Sequence, residues 1–297
     1  MRFIGIALLA AALSACAQNP RDVYVGKGLF GDIFVYDDTR GLRMLAFGAR
    51  DAPQSAIKRG DPAHLEFEYV RITMIALGLA RHPPQRVLVV GLGGGSMPMF
   101  LRLAYPDARI DVVEIDPAVV RVAEKYFDVR QDERLRVHVG DGRAFVENAA
   151  PASYDMVILD AYGQGVVPRH LTTMEFLKAV RRALRPDGVA VSNIWGPNIN
   201  AQYHDMLSTQ RAAFDALQIV YTPNSGNVLV FGLPRPERLT QTALAARARA
   251  VVQPPLFRYD LGGYVEQAWL DANVVAVHGQ ILRDASGTDS TGVRSVP

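Results

Sequence analysis

Four places in the chain set an acidic side chain or a glycine cluster at the end of an apolar run. The first is VLVVGLGGGS, positions 87–96, where Gly91, Gly93, Gly94 and Gly95 follow four consecutive apolar residues. Without a Cβ the backbone can come close to a ligand, and a helix that starts at such a loop offers unpaired N–H groups. A dinucleotide fingerprint requires glycine at 91, 93 and 96; Ser96 stands at the last of these, so the loop departs from that pattern. The second place is VVEIDP, 112–117, with Glu114 lying 23 residues after Gly91. An acid at that strand end can accept both hydrogen bonds of a ribose diol. The third is Gly140-Asp141-Gly142, whose carboxylate can take the exocyclic amine of an adenine. The fourth is Asp160, which follows an apolar run and so falls on the carboxyl edge of a sheet. Open α/β sheets bind ligands at that edge, and a carboxylate there can serve as a general base. Each feature has a plainer reading: a tight strand-to-helix turn, a solvated strand-end acid, an Asp-Gly turn. Together, at the ends of successive strands, they point to a nucleoside.

The elements that position these residues alternate. Strands are expected over 87–90, 109–114, 135–139, 154–159 and 189–194. Between them the pattern predicts helices over 96–104, from Asp116-Pro117 (Asp as N-cap, Pro in the first turn), over 142–148, and from a Thr172-x-x-Glu175 capping box to about 184. A helix over 198–217 then precedes a hairpin of 218–221 and 228–231. This predicts an α/β fold with a mostly parallel sheet and one antiparallel edge. Upstream, residues 22–60 read as a small antiparallel β unit and 65–79 as a helix, so the large domain is expected over 61–282. The polar tail 283–297 is expected to be disordered.

In order, VLVVGLGGGS, DVVEIDP, VHVGDGRAF, YDMVILDAY and HLTTMEFLKAVRRALRPDGVAVSN resemble the spermidine synthase (polyamine aminopropyltransferase) family over about 30–235. The Gly91-x-Gly93-x-Gly95 spacing is also the form found in S-adenosylmethionine-methyltransferase folds. The resemblance implies an S-adenosylmethionine-methyltransferase-like Rossmann fold and a transferase of polyamine biosynthesis. It also implies decarboxylated S-adenosylmethionine, or S-adenosylmethionine itself, as co-substrate, with no tightly bound cofactor. Carried over by position, Gly91, Gly93 and Gly95 form the cradle, Glu114 holds the ribose, and Asp141 with Gly142 holds the adenine. Asp160 matches the acid that helps deprotonate the attacking amine, and Gln54 and Tyr69 match substrate or donor contacts. Tyr162 and Trp195 are expected to wall the acceptor pocket, although aromatics at strand ends are often core. Three positions depart: Gly94 and Gly163 stand where the family carries acids, and Arg71 replaces another. A dicationic acceptor such as putrescine then loses charge-assisted hydrogen bonds worth roughly 1.5–3 kcal/mol each. The acceptor is therefore read only as a small-molecule amine. The competing readings are an S-adenosylmethionine-dependent methyltransferase and a non-catalytic ligand-binding lipoprotein.

Composition bounds the rest. The chain has 297 residues, and a net charge of +2 is too mild to imply nucleic acid. Residues 1–16 have a basic start, a short apolar run and small residues before Cys16, as in a secretory signal. Leu13-Ser14-Ala15-Cys16 resembles the lipobox of bacterial lipoproteins. This predicts export and a membrane anchor through a lipid on Cys16, with 17–21 as a tether; the alternative is a cytoplasmic protein with an over-extended start. A homodimer is compatible with this reading. Cys16 is the only cysteine, so no intrachain disulfide can form, and His64 and His138 lack partners at metal-ligand spacing, so no metal is assigned. His170 can reach the site as an acid or base, but reads more simply as a loop or cap histidine. Ser96 sits in no Gly-x-Ser-x-Gly elbow.

Overall fold

The computed structural model describes residues 20–162, 167–251, 256–275 and 278–285. Its first sheet is antiparallel in chain order: β1 (Arg21–Gly28), β2 (Gly31–Asp37), β3 (Leu42–Phe47) and β4 (Pro53–Lys58). The β2–β3 turn closes on Asp38, whose Oδ1 accepts the N–H groups of Arg40 and Leu42, with Gly41 at φ 78°. One face of this sheet, Ile33, Val35 and Leu45, packs on Val119, Val122 and Phe127 of the larger domain. The Arg43 guanidinium, paired with Asp37, also reaches the Tyr126 carbonyl, so the small sheet is fastened to the large domain by apolar and polar contacts together.

The second sheet contains β5 (Arg86–Val90), β6 (Arg109–Glu114), β7 (Leu135–Val139), β8 (Tyr154–Leu159), β9 (Leu184–Trp195), β10 (Ala216–Tyr221), β11 (Asn227–Leu233) and β12 (Trp269–Leu270). They lie in the order β12-β10-β11-β9-β8-β5-β6-β7. The strands from β5 to β9 are mutually parallel, and β5 sits between β6 and β8. Strand order thus reverses at β5, which opens a crevice at the carboxyl edge. Helices α1 (Glu68–Thr73), α2 (Ala76–Leu79), α3 (Ser96–Ala104), α8 (Gln241–Ala250) and α9 (Leu261–Ala268) contribute to the core on one face. On the other face lie α5 (Gly142–Asn148), α6 (Met174–Ala183) and α7 (Tyr203–Ala213), while α4 (Pro117–Tyr126) carries the small sheet. No helix among the described residues is long and apolar enough to cross a membrane.

Several elements differ from expectation. The helix expected over 65–79 is split, because Met74, Ile75, Leu77 and Gly78 bond three residues back instead of four. This tighter turn presses Gly78 against Arg247 and Ala248, where a Cβ would lie 2.9 Å from the Arg247 backbone. The cap of α6 is Thr173, whose Oγ1 accepts from Phe176 N, while Thr172 Oγ1 donates to the Arg169 carbonyl. The antiparallel edge is wider than one hairpin: β11 pairs antiparallel with both β9 and β10, and the two-residue β12 pairs antiparallel with β10 at the edge. Helix α7 is shorter than 198–217, because 196–200 form a turn closed on the Gly196 carbonyl and β10 begins at Ala216. The start of the polar tail is tied down: Arg143 pairs with Asp284, and Asp284 N–H bonds Glu175.

Candidate active site

The spatial order β8-β5-β6-β7 brings Asp160, the glycine loop, Glu114 and Asp141 side by side along the carboxyl edge. Gly91 (φ 103°) passes directly against the Asp160 carbonyl, so any Cβ would collide with backbone. Gly95 (φ 72°) forms the N-cap of α3 and faces Val129. Both positions combine the left-handed region with a close approach, which only glycine meets without strain. Gly93 has φ 52°, and Gly142 abuts Val90.

Glu114 is held by backbone: Oε2 accepts Leu92 N at 3.0 Å and Oε1 accepts Asp116 N at 3.0 Å. Burial pushes its carboxyl up, partly opposed by these N–H groups. With the Gly93 N–H also directed at it, the carboxylate keeps about one further acceptor position for a ribose hydroxyl. Asp141 caps α5 through Oδ1 (Ala144 N, 2.8 Å), and its Oδ2 meets His170 Nε2 at 2.9 Å.

Asp160 has side-chain partners instead. Asn193 Nδ2 donates to its Oδ1 at 2.8 Å, and the Tyr69 phenol hydrogen-bonds it from the α1 side. Burial pushes the Asp160 carboxyl up to about 6, against the pull of both donors. Their own burial, and after it the Asp160 charge, push the Tyr69 and Tyr162 hydroxyls well up. The Tyr69 hydroxyl also lies 3.4 Å from the Gln54 backbone carbonyl, which brings Gln54 to Tyr69 through its main chain. Tyr162 donates to the Asn193 carbonyl at 2.8 Å, and its ring meets Trp195 edge-on at 5.9 Å. Asn193 Oδ1 in turn accepts Asn227 Nδ2 at 2.9 Å, linking the β10–β11 hairpin to the carboxylate. Sequence reasoning missed Asn193, although it lies near the end of β9, one residue past the Ser192 that pairs with Leu159, as Asp160 lies one residue past Leu159. It missed Asn227 because the hairpin gives no register to a reader of one strand.

The three departures fall differently. A Cβ on Gly94 would stand 2.7 Å from Ser55 Oγ and 2.9 Å from Phe127 Cδ1, so β4 and α4 close the slot where an acid would sit. The Arg71 side chain turns to the chain before α1 and to Tyr259. Its guanidinium bonds the Leu65 and Glu66 carbonyls and stacks 4.7 Å from the Tyr259 ring, anchoring α1. Gly163 and Cys16 lie outside the described residues. His64 pairs with Glu66 and His138 with Asp111, and no cluster of three metal-ligating side chains occurs among the described residues.

A model of the spermine/spermidine synthase domain matches residues 66–230. The chain belongs to that family. It is 33% identical over 278 residues to the polyamine aminopropyltransferase of Vibrio vulnificus, covering 90% of each chain. A probable spermidine synthase from Corynebacterium glutamicum superposes with a TM-score of 0.72 over 92% of this chain and 98% of that one, at 22% identity. Human methyltransferase-like protein 13, in complex with SAH, superposes with a TM-score of 0.58 at 29% identity, over 65% of this chain and 93% of that one. The family's relatives named here are transferases, and the fold they share is the methyltransferase-like Rossmann fold with a small N-terminal antiparallel sheet.

Proposed function

We propose that this spermidine synthase family member transfers an aminopropyl group from decarboxylated S-adenosylmethionine to a small amine. Asp160 carries the reading: a lone carboxylate pushed up to about 6, next to the glycine loop and walled by Tyr69, Tyr162 and Asn193. Above neutral pH it is mostly ionised, yet it is basic enough to take a proton. The amine nitrogen attacks the propyl carbon bonded to the sulfonium. The carbon–sulfur electron pair returns to sulfur, methylthioadenosine leaves, and the nitrogen's proton passes to Asp160. Glu114 holds a ribose hydroxyl, and the loop of Gly91, Gly93 and Gly95 lets the backbone approach the nucleoside. Gly94 and Gly163 stand where the resembling family carries acids, which favours an acceptor with one amine over a dication.

A second reading, methyl transfer from S-adenosylmethionine, draws support from the likeness to the human methyltransferase and from the closed slot at Gly94. Incubation with each donor and a panel of amines, followed by mass spectrometry, separates the two. An aminopropylated amine is expected; methylated product alone overturns the first reading, and no binding of either donor overturns both. We also propose that Cys16 carries a lipid. Labelling with a lipid precursor is expected in the wild type and absent in Cys16→Ser; an unlabelled wild type rejects the anchor.

A further inference from the structure

Asp141 is half committed before any ligand arrives. One carboxylate oxygen caps α5, and the other faces His170 Nε2 at 2.9 Å. A carboxylate oxygen has room for two donors, so the oxygen that meets His170 keeps a second acceptor position. Both side chains remain about two-fifths open, His170 at 40% and Asp141 at 37%, so a ligand can reach the pair. Val139, at the end of the adjoining strand β7, is 55% exposed and offers apolar surface for a flat ring.

His170 is not a loose loop residue. It lies in a short 3-10 turn, Arg169–Leu171, whose Leu171 is buried and bonds back to Pro168. Arg143 donates to the His170 carbonyl at 3.3 Å and, through two nitrogens, to both carboxylate oxygens of Asp284. Asp284 belongs to a C-terminal strap that runs along α7 and α6. Ser208 Oγ donates to the Gly279 carbonyl, Leu282 N donates to Thr209 Oγ1, and Met174 N donates to the Leu282 carbonyl. The strap, Arg143 and the turn form one continuous support that ends at the ring facing Asp141.

We propose that His170 is a positioning residue of the donor site: it holds the Asp141 carboxylate for the exocyclic amine of adenine, and the C-terminal strap holds His170. The proposal rests on the reading that the co-substrate is an adenosyl sulfonium. With Nε2 as the donor, His170 occupies one acceptor position of the outward oxygen, and the purine amino group takes the other. A purine with an oxo group at that carbon would set oxygen against carboxylate and be rejected. The pair therefore reads amino against oxo at the purine's six position, and preorganisation by the strap keeps the ordering cost low.

The test titrates methylthioadenosine and methylthioinosine by calorimetry into the protein from residue 17 onward. The wild type is expected to prefer methylthioadenosine by about tenfold or more. His170→Ala is expected to lose about tenfold in methylthioadenosine affinity while methylthioinosine binding barely moves. His170→Gln, which keeps a donor, is expected to restore most of the preference, a rescue that a merely structural role would not give. Asp284→Ala is expected to move in the same direction as His170→Ala by a smaller factor. If His170→Ala does not fold, His170→Phe keeps a ring without a donor and carries the same expectation. A wild type that binds neither nucleoside overturns the donor reading and this proposal with it. A wild type that binds both equally, or variants that keep wild-type discrimination, overturns the role of His170 alone.

Discussion

Glu114 and Asp160 are both carboxylates at strand ends on one sheet edge, and burial pushes both up, yet they are held by different parts of the chain. Glu114 is gripped by the N–H groups of Leu92 and Asp116, which the chain trace itself places. Asp160 is gripped by Asn193 and Tyr69, side chains from β9 and α1, with Asn227 behind them. At the proposed ribose contact the carboxylate is thus held by backbone N–H groups, and at the proposed base by side chains. Backbone geometry follows from glycine spacing and tolerates few alternatives. Side-chain geometry can be rebuilt by single substitutions, so one fold can keep a donor while changing its acceptor.

The sharpest way to break this comparison is Asp160→Asn. Turnover is expected to fall by about two to four orders of magnitude, with donor affinity close to wild type. Loss of donor binding in that variant would mean that the ribose contact and the base are not separable. Next in size, Glu114→Ala removes the proposed ribose acceptor and also strands the N–H groups of Leu92 and Asp116. Donor affinity is expected to weaken by about tenfold to a hundredfold in calorimetry, with the rate at saturating donor largely kept.

The titration of Asp160 sharpens the comparison further. As the base it must be ionised, so activity is expected to rise with pH through about 6 and level off above it. Asn193→Ala removes a donor that pulls this carboxyl down, and its acid limb is expected to move to higher pH. Folding raises the Asp160 value from its ordinary 3.8 to about 6, so the native state binds more protons between these values. Stability is therefore lost as pH rises from about 4 to 6, by roughly 2–3 kcal/mol. Asp160→Asn is expected to melt higher than wild type at pH 8 and to lose that advantage at pH 4. The smallest expected effect is at Gly94→Asp. Ser55 Oγ can rotate away, but the buried Phe127 ring has little room to yield, so stability is expected to drop by about 1–3 kcal/mol on chemical denaturation. If that variant gained the use of diamines without losing stability, the slot would be open after all.

The same contrast explains what could be read from the chain alone. The strands that carry Gly91, Glu114, Asp141 and Asp160 were legible because apolar runs, glycine spacing and cap residues are local signals. The contacts of Asp160 were only partly legible: Tyr69 came from a motif, but Asn193 and Asn227 depend on which strand inserts beside β9. The placement of Arg71 was only partly legible: its bonds to the Leu65 and Glu66 carbonyls are local, but Tyr259 and Tyr264 lie almost two hundred residues away in sequence. His170 looked like a cap residue, since nothing local shows that its turn is propped against Asp141 by Arg143 and Asp284. Helix α8 carried too little apolar periodicity to stand out; it packs on α2, and α9 packs in turn on α8.

One reaction mixture puts the central claim to the test most directly. The protein is given decarboxylated S-adenosylmethionine and S-adenosylmethionine at equal concentration with a mixture of amines, and the nucleoside products are quantified. Methylthioadenosine is expected in excess, formed together with an aminopropylated amine and lost in Asp160→Asn. An excess of S-adenosylhomocysteine, or methylthioadenosine formed undiminished by Asp160→Asn, would contradict the claim.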